Sequence, residues 1–157
     1  MSWLWAETFT QAYHDVHTPE NIRAYCRDNF TEERALETLS DPNIKCVISD
    51  NELRNATGFY ILKDIDCPMP LGEASMELKQ IYILAHHYGT GLGRQLYNDA
   101  IKRAQGMGKT WLWLSVSDIN DRAKSFYAKL GFEAVGAGPT FEVGTDRLTS
   151  TTLAKRI

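Results

Sequence analysis

The stretch LKQIYILAHHYGTGLG, residues 78–93, decides how this chain is read. LKQIYIL carries β-branched and aromatic residues at the density of a buried strand. Ala85 to Tyr88 interrupt the run, and Gly89, Gly91 and Gly93 free the backbone to curl. Leu92, Leu96, Ala100, Ile101 and Ala104 then recur at helical spacing, so the pattern predicts a helix from about Leu92 to Gln105. A tight turn entering a helix aims unpaired N–H groups at one point, and the helix dipole adds positive potential there. Such a turn is a site for an anion, most simply a phosphate or pyrophosphate.

Two common phosphate motifs are excluded by spacing. A P-loop needs Gly-Lys-Ser/Thr, whereas Gly93 is followed by Arg94 and Gln95. The dinucleotide fingerprint G-x-G-x-x-G fails because Arg94 or Leu96 falls where its third glycine belongs. By itself the turn is also compatible with an ordinary strand-to-helix connection that holds no ligand.

A second segment, Trp111 to Phe132 (WLWLSVSDINDRAKSFYAKLGF), lies downstream. Together the two resemble the GNAT superfamily of N-acetyltransferases. The superfamily's Q/R-x-x-G-x-G/A turn is matched by Tyr88, Gly89, Thr90, Gly91, Leu92 and Gly93. Its later strand and helix are matched by Asn120, Ala123, Phe126, Tyr127, Leu130, Gly131 and Phe132. The resemblance covers most of the chain, best from Glu77 to Gly136. ELKQIYIL, WLWLSV and PTFEVG are similar to the branch that includes PaiA-type polyamine acetyltransferases. Tyr88 departs from the usual Gln/Arg, which removes one polar side chain from the turn.

The resemblance implies an α/β acyl-CoA N-acyltransferase fold: one domain over residues 1–157, with a mixed, mostly antiparallel sheet flanked by helices. It implies acetyl-coenzyme A (acetyl-CoA) as co-substrate. Amides of Tyr88 to Arg94 would hold the pyrophosphate, and the edge of Ile81, Tyr82 and Ile83 would pair with the pantetheine arm. Arg94 either adds charge at a phosphate or is a solvated helix residue. Asn120 either bonds the pantetheine or caps its helix. Tyr127 matches the general-acid tyrosine, on the helix face shared with Asn120 and Ala123. Glu77 stands six residues before Ile83, where several members carry a glutamate base; otherwise it is a carboxylate paired with Lys79 or a neighbour. Alternation puts Glu77, Lys79, Ile81 and Ile83 on one face and Leu78, Gln80 and Tyr82 on the other, unless a bulge intervenes.

The chemistry makes sense of these roles. An amine must be neutral to attack a thioester, and with a pKa of ~10.4 only about one molecule in 2,500 is neutral at pH 7. A nearby base therefore helps. The departing thiolate needs a proton, which a phenol of pKa ~10 can supply. The expected acceptor is a small primary amine such as a polyamine. Rival readings are a protein or peptide N-acetyltransferase and a non-catalytic coenzyme A-binding sensor. His86 and His87 would lie nearer the polar end of the donor than its thioester.

The remaining sequence supports a single ordinary domain. Its 157 residues are 43% hydrophobic and 24% charged, with a net charge of −3, so neither a nucleic-acid partner nor a membrane span is indicated. Cys26, Cys46 and Cys67 have no C-x-x-C spacing, the reading of reduced thiols in a cytoplasmic protein. The N-terminus lacks a basic segment and a long apolar run. His14, Asp15 and His17 lack further residues to complete a metal-ligand set.

Helices are expected at Trp3–Tyr13, after Thr18-Pro19-Glu20, and from Thr31 to about Leu39. Ile44–Ser49 and Thr57–Lys63 read as a hairpin, followed by strands near Ala74–Leu84 and Thr110–Ser117. A helix is expected from Asp121 to Leu130. The tail reads as short strands, around Phe132–Val135 with Phe141–Val143 and at Thr151–Ala154. Trp3, Trp5, Phe9, Tyr13, Tyr25 and Phe30 either line an acceptor pocket or simply pack. The superfamily usually begins with a strand before its first helix. Here that strand is either missing or lost because Met1 is an internal or reassigned start. The edge this exposes would need a neighbouring segment or a second subunit, as in a homodimer.

Overall fold

Three helices come first in the computed structural model, which describes residues 1–71 and 74–157. Helix α1 (Ser2–Tyr13) buries Leu4, Trp5, Thr8, Phe9 and Tyr13. The Thr8 hydroxyl donates to the Leu4 carbonyl at 2.7 Å, which satisfies a polar group on a buried face. Helix α2 (Pro19–Asn29) starts as its sequence predicts: Thr18 accepts from the Asn21 N–H and Pro19 takes the first position. Helix α3 (Glu32–Ser40) is capped by Thr31, which accepts from the Arg34 N–H.

The strands are β1 (Ile44–Asp50), β2 (Ala56–Lys63), β3 (Ser75–Ile83), β4 (Trp111–Ser117), β5 (Glu133–Ala137), β6 (Phe141–Val143), β7 (Asp146–Leu148) and β8 (Ser150–Arg156). A six-stranded sheet has the order β1-β2-β3-β4-β8-β5, and β6 and β7 form a separate hairpin. Every neighbouring pair is antiparallel except β3 with β4. That parallel pair requires a crossover, supplied by α4 (Leu92–Gly106). Helix α5 (Asp121–Lys129) links β4 to β5. Among the described residues no strand precedes α1, so β1 is an edge of the sheet.

Two expectations are corrected. The tail holds four strands rather than two short segments: β5 pairs with β8, and β6 pairs locally with β7. The simple alternation along β3 also fails. Ile61 pairs with Gln80 but Leu62 pairs with Leu78, so the register slips and Lys79 is an extra residue. Leu78, Ile81 and Ile83 consequently share the core formed with α4 and α5. Tyr82 packs on the other face with Phe59 and Ile61, beneath α1.

The sheet thus carries a core on each face. Tyr60, Leu62, Met76, Leu112 and Leu114 meet Leu96, Tyr97 and Ala100 of α4 on one side. Leu4, Trp5 and Ala35 cover Phe59 and Ile61 on the other. A third cluster, with Phe9, Tyr13 and Ile22, seats the β6–β7 hairpin through Val143 and Leu148.

That hairpin turns at Gly144, whose φ is +60°. A Cβ there would overlap the Asn21 side chain, which bonds Thr145 through both its amide nitrogen and its oxygen at 3.2 Å. Gly144→Ala should therefore destabilise by about 1–2 kcal/mol from the left-handed backbone alone, with the overlap adding to it. Urea unfolding of the two proteins tests this, and an unchanged midpoint would refute it.

Candidate functional site

Among the described residues β3 and β4 are paired only at Ser75–Trp111, Met76–Leu112 and Glu77–Trp113. Beyond Glu77, β3 continues on β2 as far as Ile83, while β4 continues on β8 as far as Ser117. Among the described residues the edge of β3 from Leu78 onward carries no strand on the β4 side. A cleft of about 480 Å³ opens there.

Its floor is Ile81, Tyr82 and Ile83. One end is the glycine turn, contributing His87, Tyr88, Gly89, Gly91, Gly93 and Arg94. The wall opposite is the first half of α5 with the residue that caps it: Asn120, Arg122, Ala123, Phe126 and Tyr127. Ala12 of α1 completes it. Twelve of the fifteen residues expected at the site from sequence line this one cleft. Thr90 and Leu92 belong to the turn without lining it. The Thr90 hydroxyl instead donates to the His87 carbonyl at 2.8 Å and closes the turn. Glu77, the third, stands where the strands part.

The turn has the form an anion needs. Gly89 and Gly91 have φ of +77° and +89°. Gly91 is the N-cap of α4, with no side chain to cap it. Among the described residues the N–H groups of Gly91, Gly93 and Arg94 meet no acceptor. A Cβ on Gly93 would make only ordinary contact, 3.7 Å from the Phe126 ring. The fold itself does not demand glycine there; a ligand lying close to the backbone would.

Arg122 was not identified from sequence. Its guanidinium carbon lies 4.2 Å above the centre of the Tyr88 ring. The aromatic residue at the usual Gln/Arg position thus holds a cation at the cleft mouth by its π face. His87 also lines the cleft, and among the described residues its buried Nε2 has no partner.

Tyr127 is 8% exposed. Burial pushes its phenol above the ordinary range, and neighbouring Tyr13 adds to the rise. Tyr82 is raised well above its ordinary value by burial first and then by nearby Tyr13. Asn120 caps α5, accepting from the Ala123 N–H at 3.0 Å, while its amide donates to the Tyr13 hydroxyl at 3.4 Å. Tyr13 therefore ties α1 to the start of α5. Of the other aromatic residues considered for an acceptor pocket, Trp3 is 63% exposed and packs into no core.

Glu77 is partly buried and makes no ion pair among the described residues. Burial raises its pKa, against the pull of Lys79 and Lys63. Folding thus favours its protonated form. That contribution is complete below the unfolded value of ~4.3 and is lost as pH rises through the folded value. Glu77→Gln should leave stability nearly unchanged near pH ~4 and raise it increasingly toward neutrality. Denaturation of both proteins across that interval checks the sign; a gain that shrinks with pH would be the wrong one.

Comparison with known proteins agrees with this architecture. Residues 3–132 match the acetyltransferase (GNAT) family. An uncharacterized N-acetyltransferase of Mycobacterium tuberculosis is 30% identical over 139 residues, spanning 88% of this chain and 84% of that protein. The PaiA N-acetyltransferase of Thermoplasma acidophilum, solved in complex with coenzyme A, superposes with a TM-score of 0.78 at 20% identity, covering 99% of this chain and 90% of that one. Spermidine/spermine N-acetyltransferase SpeG of Vibrio cholerae gives 0.63 at 22% identity, covering 80% and 72%. The chain belongs to the GNAT family of acetyltransferases, and acetyl-CoA is its co-substrate.

Proposed function

We propose that the protein transfers the acetyl group of acetyl-CoA directly to a small primary amine, with Tyr127 as the acid. One observation carries this: the turn of unpaired N–H groups and the Tyr127 side chain line the same cleft. The residues suit the donor. Gly91, Gly93 and Arg94 offer main-chain donors to a pyrophosphate. Arg94 and Arg122 bring two cationic side chains to the same end. The unpaired edge at Ile81–Ile83 offers main-chain groups to an amide-bearing arm.

In the reaction the amine nitrogen attacks the thioester carbonyl and the C–S bond breaks. The sulfur leaves as a thiolate and takes the Tyr127 proton. A raised pKa keeps Tyr127 protonated throughout the neutral range, so the donor is always loaded. Glu77 is the candidate for receiving the amine's proton, through water, since it does not line the cleft. The PaiA and SpeG likenesses make polyamines the first acceptors to assay. Among the described residues the cleft lining contains no Asp or Glu.

Coenzyme A release from acetyl-CoA, measured over polyamines, amino acids and peptides, tests the activity. Tyr127→Phe should lower kcat by about 10²–10⁴ while coenzyme A binding by calorimetry stays unchanged. Full turnover in that variant would remove Tyr127 from the mechanism. The double variant Arg94→Ala/Arg122→Ala should lose at least about tenfold in coenzyme A affinity, as expected for charge-assisted hydrogen bonds worth about 1.5–3 kcal/mol each. Equal affinity would show that the main chain alone holds the phosphates.

A further inference from the structure

Two cations reach the mouth of the cleft, Arg94 from α4 and Arg122 from α5. Neither makes an ion pair within 4.0 Å among the described residues. Lys124, on the same helix as Arg122, shows the usual alternative. Its ammonium meets the Asp121 carboxylate at 2.8 Å and donates to the Asp118 carbonyl. Arg122 is held by a ring instead. Its guanidinium carbon stands 4.2 Å from the centre of the Tyr88 ring, well within the ~6 Å reach of a cation–π contact.

The kind of partner matters. A carboxylate holds a guanidinium by accepting its N–H groups, which are then occupied. A ring face attracts the cation through its quadrupole and leaves those N–H groups free to meet another anion. Tyr88 and Arg122 also belong to different walls, the turn and α5, so their contact places an α5 cation at the turn. There the N–H groups of Gly91, Gly93 and Arg94 meet no acceptor among the described residues. Packing does not account for the ring: Tyr88 is 36% exposed and belongs to none of the three buried clusters.

We propose that Tyr88 is a positioning residue for Arg122, and that the pair clamps a phosphate of the nucleotide-linked donor. The guanidinium takes the phosphate oxygens, and the ring holds the guanidinium where it can do so. The proposal rests on reading the cleft as the acetyl-CoA site, and adds a role for an uncharged side chain of the turn. Tyr88 itself offers the phosphate no charge; its π face imports one from α5. Coenzyme A carries a diphosphate and a 3′-phosphate, and either presents the oxygens that a guanidinium recognises. The phenol hydroxyl has no part in the clamp.

Calorimetric titration with coenzyme A tests the pair. Arg122→Ala should weaken binding about tenfold, as for the loss of a charge-assisted hydrogen bond. Tyr88→Leu keeps an apolar side chain but removes the π face, and should weaken binding about threefold or more. Tyr88→Phe keeps that face and should bind within about twofold of the unmodified protein. Tyr88→Leu/Arg122→Ala should match Arg122→Ala alone within about twofold, because a ring with no cation over it has nothing to position. Both side chains are exposed, so the urea midpoints of all four variants should stay unchanged. The same titrations with 3′-dephospho-coenzyme A assign the anion. An Arg122→Ala effect that persists places the guanidinium on the diphosphate, and one that vanishes places it on the 3′-phosphate. Full affinity in Arg122→Ala or Tyr88→Leu would overturn the proposal. So would a Tyr88→Phe protein as weak as Tyr88→Leu, or a double variant whose loss is the product of the two single losses. If the unmodified protein bound no coenzyme A, the donor site and the clamp would fall together, whereas binding indifferent to Tyr88→Leu removes the clamp alone.

Discussion

Among the described residues β3 and β4 hold each other at only three positions, and the site exists because they part after Glu77. A parallel pair inside a sheet normally satisfies its main-chain groups along its whole length. Here β2 keeps β3 and β8 keeps β4, so the strands part without either losing its other neighbour. The open edge this leaves is stable only because it faces a cleft rather than a dry core. The crossover that a parallel pair requires then places the N-terminus of α4 at one end of the gap, and α5 closes the side. The topology brings an anion site, an unpaired edge and a tyrosine together.

Burial of that tyrosine has two effects on the chemistry. It raises the phenol's pKa, which makes full proton transfer to a thiolate of ordinary pKa ~8.5 uphill by about 1.4 kcal/mol per unit of difference. It also lowers the local dielectric, which strengthens a hydrogen bond from phenol to developing negative charge. The second effect acts while the C–S bond is breaking, when stabilisation matters to the rate. Tyr13 and Asn120 serve it indirectly: their hydrogen bond ties α1 to the start of α5 and fixes the wall on which Tyr127 is mounted.

Much of this was legible in the sequence because it rests on local chemistry. Thr18, Thr31 and Asn120 are caps wherever a helix follows them, and all three cap here. Gly89 and Gly91 allow the positive φ that the turn adopts. The motif around Tyr127 reaches the cleft through one helix. What escaped depends on partners distant in sequence. Arg122 reads as any surface arginine until Tyr88 is known to lie beneath it. β7 is three residues long and exists because β6 turns back on it at Gly144. Trp3 resembles Trp5 in sequence, yet only Trp5 faces a core. Glu77 shares its strand with the cleft residues but not their position, a distinction set by where β4 leaves.

The bulge at Lys79 shows why the distribution of side chains could not come from counting. With regular alternation Leu78 and Tyr82 would share a face, and Ile81 would lie opposite Leu78. The extra residue reverses the parity. Ile81 and Ile83 then join Leu78 on the side of α4 and α5, while Tyr82 is delivered to Tyr13 beneath α1. The same inserted residue leaves Lys79 and Gln80 on the lining of a separate, small cavity against α2 and α3. One slip of register, invisible in a strand taken alone, thus decides both what floors the cleft and which polar groups face α2 and α3. An inserted residue shifts the alternation partway along the strand, so each face receives one parity of residues before the bulge and the other after it.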